Sequence, residues 1–286
     1  MESSLYNPRL EPAEPPAPAP APTPRRQQRP PWRRLLGWLG AGALLAFKFA
    51  AKLKGLLLLL PKLKILTTSG TMLVSVAAYA LIWGWRFAVG FVLLLLVHEM
   101  GHVIQLRREG IPASAPMFIP FLGAVVAMKA LPKDAGAEAR VGLAGPVLGS
   151  LAALVPLGIH ALGGSDLFLA LAYVGFLLNL FNLLPVLPLD GGRAMAALSP
   201  SLWFVGYALL AAATFVFPNP VMLLILLLGG METWRRWRAR NTPEAREFHR
   251  IPRRTRAAVA AVYLGLALAL AVGVDATFIE RDFGDV

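Results

Sequence analysis

The sequence has 286 residues, of which 57% are hydrophobic and only 15% are charged, with a mean hydropathy of +0.60. Soluble domains carry about 25% charged residues, so this composition excludes an ordinary soluble globular domain. Lys and Arg number 28 against 16 Asp and Glu, but these cations lie in tails and at the edges of long uncharged runs. Such placement indicates anionic lipid and membrane topology instead of nucleic acid. Because the chain has no cysteine, any metal must be bound by His, Asp or Glu.

The amino-terminal part divides by composition into two segments. Residues 1–34 are rich in Pro and Ala, which predicts a disordered cytoplasmic tail. Residues 35–66 are apolar but contain five lysines, and their longest uncharged stretch, 35–47, is 13 residues long. A membrane-spanning helix needs about 20 residues, so we expect a basic amphipathic segment lying at the membrane interface. A short, tilted span is the alternative.

The remainder of the chain is dominated by long runs without charged residues. The longest run is too long for one crossing, and Pro218 and Pro220 are expected to divide it. We therefore predict an all-α polytopic membrane protein with about seven transmembrane helices within 67–274, followed by an acidic tail over 275–286. The runs are 65–85, 87–106 (interrupted by Glu99), 141–165, 167–189, 194–231 and 257–274.

The distribution of Lys and Arg predicts the orientation of these spans. With the amino terminus in the cytoplasm, 26 of the 28 Lys and Arg residues fall on the cytoplasmic side. This agrees with the positive-inside rule. We expect a bacterial plasma (inner) membrane, with an organelle membrane as the alternative.

The segment between spans two and three, 111–131, differs from the spans. It is rich in Pro, Gly, β-branched and aromatic residues and is too short to cross, which indicates a membrane-associated β-like hairpin or loop. A strand edge there could pair with an extended peptide. The expected substrate-contacting residues are Phe118, Ile119, Phe121, Leu122, Gly123 and Ala124.

The second span contains the sequence HEMGH. Histidines at positions i and i+4 share one face of a helix, so His98 and His102 can reach the same metal ion. Glu99 could deprotonate a metal-bound water. The alternative is a polar cluster that only bonds neighbouring helices, although three ionisable groups in an apolar helix are costly without a function.

A catalytic zinc ion usually takes three protein ligands, and Asp190 is the strongest candidate for the third. It is the only acidic residue between Asp166 and Glu232 and follows the fourth span. Pro185 and Pro188 interrupt that span, and Gly191 and Gly192 permit a tight turn that could direct the carboxylate back into the helix bundle. Taken alone, an Asp before two glycines is more often part of a turn.

These motifs resemble those of the site-2 protease family of intramembrane zinc metalloproteases. HEMGH is similar to the family's HExGH motif, and NLLPVLPLDG (182–191) is similar to its NxxPxxPxDG motif. FIPFLGA (118–124) and AGPVLG (144–149) extend the resemblance over about residues 70–195. The resemblance implies that His98, His102 and Asp190 bind one zinc ion, with Glu99 as general base and then proton donor. It also implies that Asn182 helps to hold the substrate or the oxyanion, whereas capping of the broken end of the fourth span fits Asn182 nearly as well.

The resemblance implies an intramembrane zinc metalloprotease that acts on single-pass membrane proteins, in regulated intramembrane proteolysis. We expect a form without a PDZ or CBS domain. Its expected partners are the substrate and membrane lipids, without nucleic acid. One alternative is a non-catalytic zinc-containing membrane binding protein. Another is a metal transporter, which would require polar residues along several helices. Gly142, Gly145 and Gly149 are expected to permit close helix packing.

Overall fold

A computed structural model describes residues 64–278, which belong to one compact unit, Leu60–Val286. The predicted cytoplasmic tail, most of the predicted interfacial segment and most of the acidic carboxyl-terminal tail lie outside the described residues. The described part contains nine α-helices and one two-stranded sheet. They are α1 (Lys64–Trp83), α2 (Trp85–Arg108), β1 (Met117–Ile119), β2 (Gly123–Val125), α3 (Ala135–Ala161), α4 (Asp166–Asn182), α5 (Asp190–Leu198), α6 (Leu202–Val216), α7 (Pro220–Ala239), α8 (Pro243–Phe248) and α9 (Arg253–Thr277).

Within the described residues, α2, α3 and α9 are long and apolar enough to cross a membrane. Shorter apolar helices cover Thr67–Trp83, α4 and α6. The structure thus has the predicted mostly helical character, with a small antiparallel hairpin between α2 and α3. The number of seven spans stays a prediction.

The region after α4 differs from the sequence prediction in one respect. Gly191 and Gly192 do not form a tight turn but lie in the first turn of α5, a short buried helix. A Cβ atom at Gly191 would collide with the Leu183 carbonyl, and one at Gly192 would lie 2.5 Å from the Leu187 nitrogen. The two glycines therefore allow the start of α5 to pack directly on the irregular backbone that precedes it.

The predicted break of the longest apolar run is present. Helix α6 ends at Val216, and α7 begins at Pro220. The Asn219 side chain accepts a hydrogen bond of 2.8 Å from the Val221 amide, which caps α7. The first residues of that run, however, belong to α5 and not to a membrane span, because a second break follows at 199–201.

Helix α3 lies at the centre of the fold and contacts α2, α4, α5 and α9. Small residues let these helices approach closely: Ala135, Ala139 and Ala153 are fully buried. A Cβ atom at Gly101 of α2 would collide with the Ala144 carbonyl of α3. Close packing of this kind is the main source of helix association where lipid removes the hydrophobic driving force.

The hairpin is fixed to α1 through the outer edge of β1. The Phe118 amide donates to Thr71 Oγ1 at 3.2 Å, and the Phe121 amide donates to the Tyr79 hydroxyl at 3.1 Å. Strands β1 and β2 pair antiparallel, with Phe118 opposite Ala124. The turn between them requires positive φ at Phe121 (64°) and Gly123 (94°). The anchored edge of β1 leaves the outer edge of β2 on the other side of the hairpin.

Candidate metal centre

Three side chains from two distant parts of the chain meet at the centre of the fold. His98 and His102 project from α2, and Asp190 is the first residue of α5. The two Nε2 atoms are 3.2 Å apart, and Asp190 Oδ2 lies 3.1 Å from that of His98 and 3.2 Å from that of His102. All three residues are buried, with exposed fractions of 3%, 7% and 8% for His98, His102 and Asp190.

The hydrogen bonds on the far side of each imidazole determine its tautomer. His102 Nδ1 donates to the Val141 carbonyl at 2.8 Å. His98 Nδ1 lies 2.8 Å from Asn179 Oδ1, and Asn179 Nδ2 donates to the Gly175 carbonyl at 2.7 Å, so the amide oxygen faces the histidine. Both rings therefore carry their proton on Nδ1, and both Nε2 atoms present a lone pair to the centre.

Two imidazole lone pairs and a carboxylate oxygen that point at the same place form a site that suits a cation. Tetrahedral zinc with metal–ligand distances of about 2.0–2.1 Å places its ligand atoms about 3.3 Å apart. The observed separations of 3.1–3.2 Å match this value. Two histidines with one carboxylate are a ligand set typical of catalytic zinc, which keeps its fourth position open. The residues therefore fit a zinc ion.

Glu99 shares the cavity that contains these ligands. Its carboxylate belongs with His98 and His102 to a group whose possible ligand atoms lie within 4.8 Å of one another. The cavity has a volume of about 520 Å³. Its walls are largely apolar, and Arg193, one turn after Asp190, also lines it. Glu99 is thus buried in the same cavity as the three candidate ligands.

The hairpin forms part of the cavity wall. Of the six residues expected to contact substrate, Phe118 does not line the cavity: it is 2% exposed and packs in a cluster with Tyr79 and Phe91. The other five do line it, namely Ile119, Phe121, Leu122, Gly123 and Ala124.

Asn182 and Asn179 have different surroundings. Asn182 lines the cavity, and its Nδ2 donates to the Leu178 carbonyl at 3.1 Å. Asn179, which the sequence analysis missed, is 2% exposed and holds His98. The sequence did contain an indication of Asn179. It lies three residues before Asn182, and this spacing puts both amides on one side of an apolar helix.

We expect Asn179→Ala to lower zinc affinity by about 10- to 100-fold, because outer partners of metal-bound histidines contribute about this much. Zinc competition with a chelator measures the change. Asn182→Ala is the matched control and should leave zinc affinity unchanged, since Asn182 does not contact a ligand. Equal zinc affinity in Asn179→Ala and the native chain would contradict the assignment.

The three glycines of α3 make room for this centre. A Cβ atom at Gly145 would collide with the His102 imidazole, and one at Gly149 would collide with the Asn179 amide. At Gly142, a Cβ atom would lie 2.8 Å from the Asp190 carbonyl oxygen. The glycines thus have a packing role, in which the surface of α3 receives the side chains of the site.

Comparison with known proteins agrees with this chemistry. Residues 86–164 match peptidase family M50. This region of the chain is therefore similar to that family. The match contains His98, Glu99 and His102 on α2 and the whole of α3, whereas Asp190 lies beyond it. The resemblance to site-2 proteases is therefore confirmed.

Two proteins that are similar to this chain are named as zinc metalloproteases. Zinc metalloprotease MJ0392 of Methanocaldococcus jannaschii is 28% identical over 160 residues, which cover 54% of this chain and 45% of the relative. Zinc metalloprotease Rip3 of Mycobacterium tuberculosis is 33% identical over 136 residues, which cover 43% of this chain and 34% of the relative. The chain thus matches less than half the length of each relative.

Proposed function

We propose that the chain is a zinc metalloendopeptidase that hydrolyses peptide bonds in or near the transmembrane segments of membrane proteins. The observation that carries this proposal is the triangle formed by His98 Nε2, His102 Nε2 and Asp190 Oδ2, with Glu99 in the same cavity. The match of α2 and α3 to peptidase family M50 supports it.

Each polar residue of the cavity has a distinct role in this proposal. His98, His102 and Asp190 would hold one zinc ion per chain, which when bound supplies Lewis acidity to the scissile carbonyl and acidifies water. Glu99 accepts the proton of the attacking water and then donates it to the leaving amine. Asn182 uses one amide hydrogen for the Leu178 carbonyl, and the second can donate to a substrate carbonyl.

The outer edge of β2 is the proposed site for an unwound substrate. Paired residues in antiparallel strands alternate between those that bond each other and those whose N–H and C=O groups point outward. Because the Phe118 amide donates to Thr71, the Phe118 and Ala124 pair is of the second kind. The Ala124 N–H and C=O groups therefore point away from β1, and Ala124 lines the cavity. An extended peptide could pair with them beside the metal centre.

We expect Ala124→Pro to lower kcat/KM by about tenfold, because it removes one backbone donor at the edge without removing a bond between the two strands. Ala124→Ser is the matched control, because it keeps the backbone N–H group. Its kcat/KM should equal that of the native chain. Zinc content should be equal in both variants. Unchanged cleavage by Ala124→Pro would exclude pairing at this position.

The proposed substrates are single-pass membrane proteins cut in regulated intramembrane proteolysis. The site would face the cytoplasm of a bacterial plasma membrane, as the distribution of Lys and Arg predicts. Reconstitution of the chain with zinc and a single-pass substrate tests the activity, with fragment masses giving the cut position. Cleavage should stop on chelation and return with zinc. Zinc retention without cleavage of any of several such substrates would favour the non-catalytic binding protein instead.

A further inference from the structure

A second groove lies between α2, α3 and α9. Its volume is about 600 Å³, and it shares no lining residue with the catalytic cavity. Its lining includes Arg108 of α2, Arg140 and Val147 of α3, and Thr255, Ala258 and Val262 of α9.

The groove is polar at one end and apolar along the rest. Helix α2 ends where α3 and α9 begin, so Arg108, Arg140 and Thr255 come from the same end of three helices. Val147 lies two turns further along α3 than Arg140, about 10 Å at the rise of an α-helix. Val147 and Val262 are 36% and 46% exposed, so the apolar part is open towards the surroundings of the helices. A phospholipid has the same arrangement, with a polar headgroup at one end and apolar acyl chains along the rest.

The polar end has an excess of positive charge, because Arg108, Lys133 and Arg140 outnumber Glu109 and Asp134 there. Arg140 donates to both carboxylate oxygens of Glu109, at 2.6 and 3.0 Å. These bonds hold the pKa of Glu109 below its usual range. Glu109 therefore stays charged, and its negative charge balances the positive charge of Arg140. The side chain of Arg108 is exposed and has no hydrogen bond or ion pair with another residue of 64–278. Its guanidinium is thus available to a ligand.

We propose that this groove binds an anionic phospholipid, with the headgroup phosphate at Arg108 and Arg140 and an acyl chain along Val147 and Val262. Charge complementarity favours this occupant over residues 1–63 of the same chain, which contain ten Lys and Arg against three Glu and would be repelled. Arg253, Arg254 and Arg256 at the start of α9 strengthen the attraction for an anionic headgroup. The proposal is independent of the proposed proteolytic function.

Native mass spectrometry of the chain, released from bilayers with equal amounts of phosphatidylglycerol and phosphatidylcholine of identical acyl chains, tests this site. We expect preferential retention of phosphatidylglycerol. Arg108→Gln should reduce the preference by roughly fivefold, the contribution of one arginine near an anionic surface. Arg86→Gln, at the other end of α2, is the control and should keep the native preference.

A second variant tests the acyl-chain part of the site. Ala258→Trp adds a large side chain at an exposed position of the groove and should reduce retention of phosphatidylglycerol although Arg108 is intact. Equal retention of the two lipids by the native chain would overturn the proposal. Native preference in Arg108→Gln, or native retention in Ala258→Trp, would also overturn it. The Glu99→Gln variant should retain lipid as the native chain does, which separates this outcome from that of proteolysis.

Discussion

Glu99→Gln should lower kcat for a reconstituted single-pass substrate by about 10²- to 10⁴-fold, the usual contribution of a general acid–base group. The glutamine side chain keeps the size and approximate shape of the carboxyl group but cannot accept the proton of the attacking water. The three candidate ligand atoms belong to His98, His102 and Asp190 and not to Glu99. The zinc content of this variant should therefore equal that of the native chain. Cleavage rates and metal analysis of the same preparation measure both quantities.

Glu247→Gln is the matched control for this experiment. Glu247 lies in α8, its side chain is 76% exposed, and it does not line the cavity. This variant should cleave at the native rate. If Glu99→Gln cleaved at the native rate, another group or a contaminating protease would be responsible. If it lost zinc, Glu99 would be a ligand and the proposed ligand set would be wrong.

Asp190→Asn should lower zinc affinity by more than about 100-fold and remove proteolysis with it. Outer partners of a metal site alone are worth about 10- to 100-fold, and loss of a charged ligand should exceed them. The neutral amide also leaves two histidine lone pairs without the negative charge that balances a divalent cation. Metal content after dialysis and zinc competition with a chelator measure the effect.

Asp166→Asn serves as the control for the removal of an aspartate. Asp166 is an exposed residue in the first turn of α4, away from the ligand triangle. This variant should bind zinc as the native chain does. Stoichiometric zinc of native affinity in Asp190→Asn would show that the carboxylate is not a ligand, whatever the effect on cleavage.

The local features of the fold could be predicted from the sequence because their causes are local. Two histidines four residues apart share a helix face in any α-helix. Pro220 begins a helix because its missing N–H is not needed there, so the break before α7 was predictable. The composition of 111–131 likewise indicated an irregular or extended segment, and the hairpin lies within it.

Other features could not be predicted because they depend on which backbones approach each other. An Asp followed by two glycines is compatible with a turn or with the start of a helix. In the structure Gly191 packs against the Leu183 carbonyl, and the segment forms the start of a helix. Phe118 lies in a strand next to cavity-lining residues, but its pairing geometry and its anchorage to α1 place it in the core.

The sequence by itself determined the membrane character of the chain and the spacing of His98, Glu99 and His102, since composition and helical periodicity are local properties. Only the tertiary structure brings Asp190, 92 residues away, to His98 and selects Asn179 over Asn182 as the partner of that histidine. Two amides three residues apart on a helix look alike in sequence. Which one meets the histidine depends on the rotation of α4 against α2, and Gly149 of α3 leaves the space that Asn179 occupies in the observed arrangement.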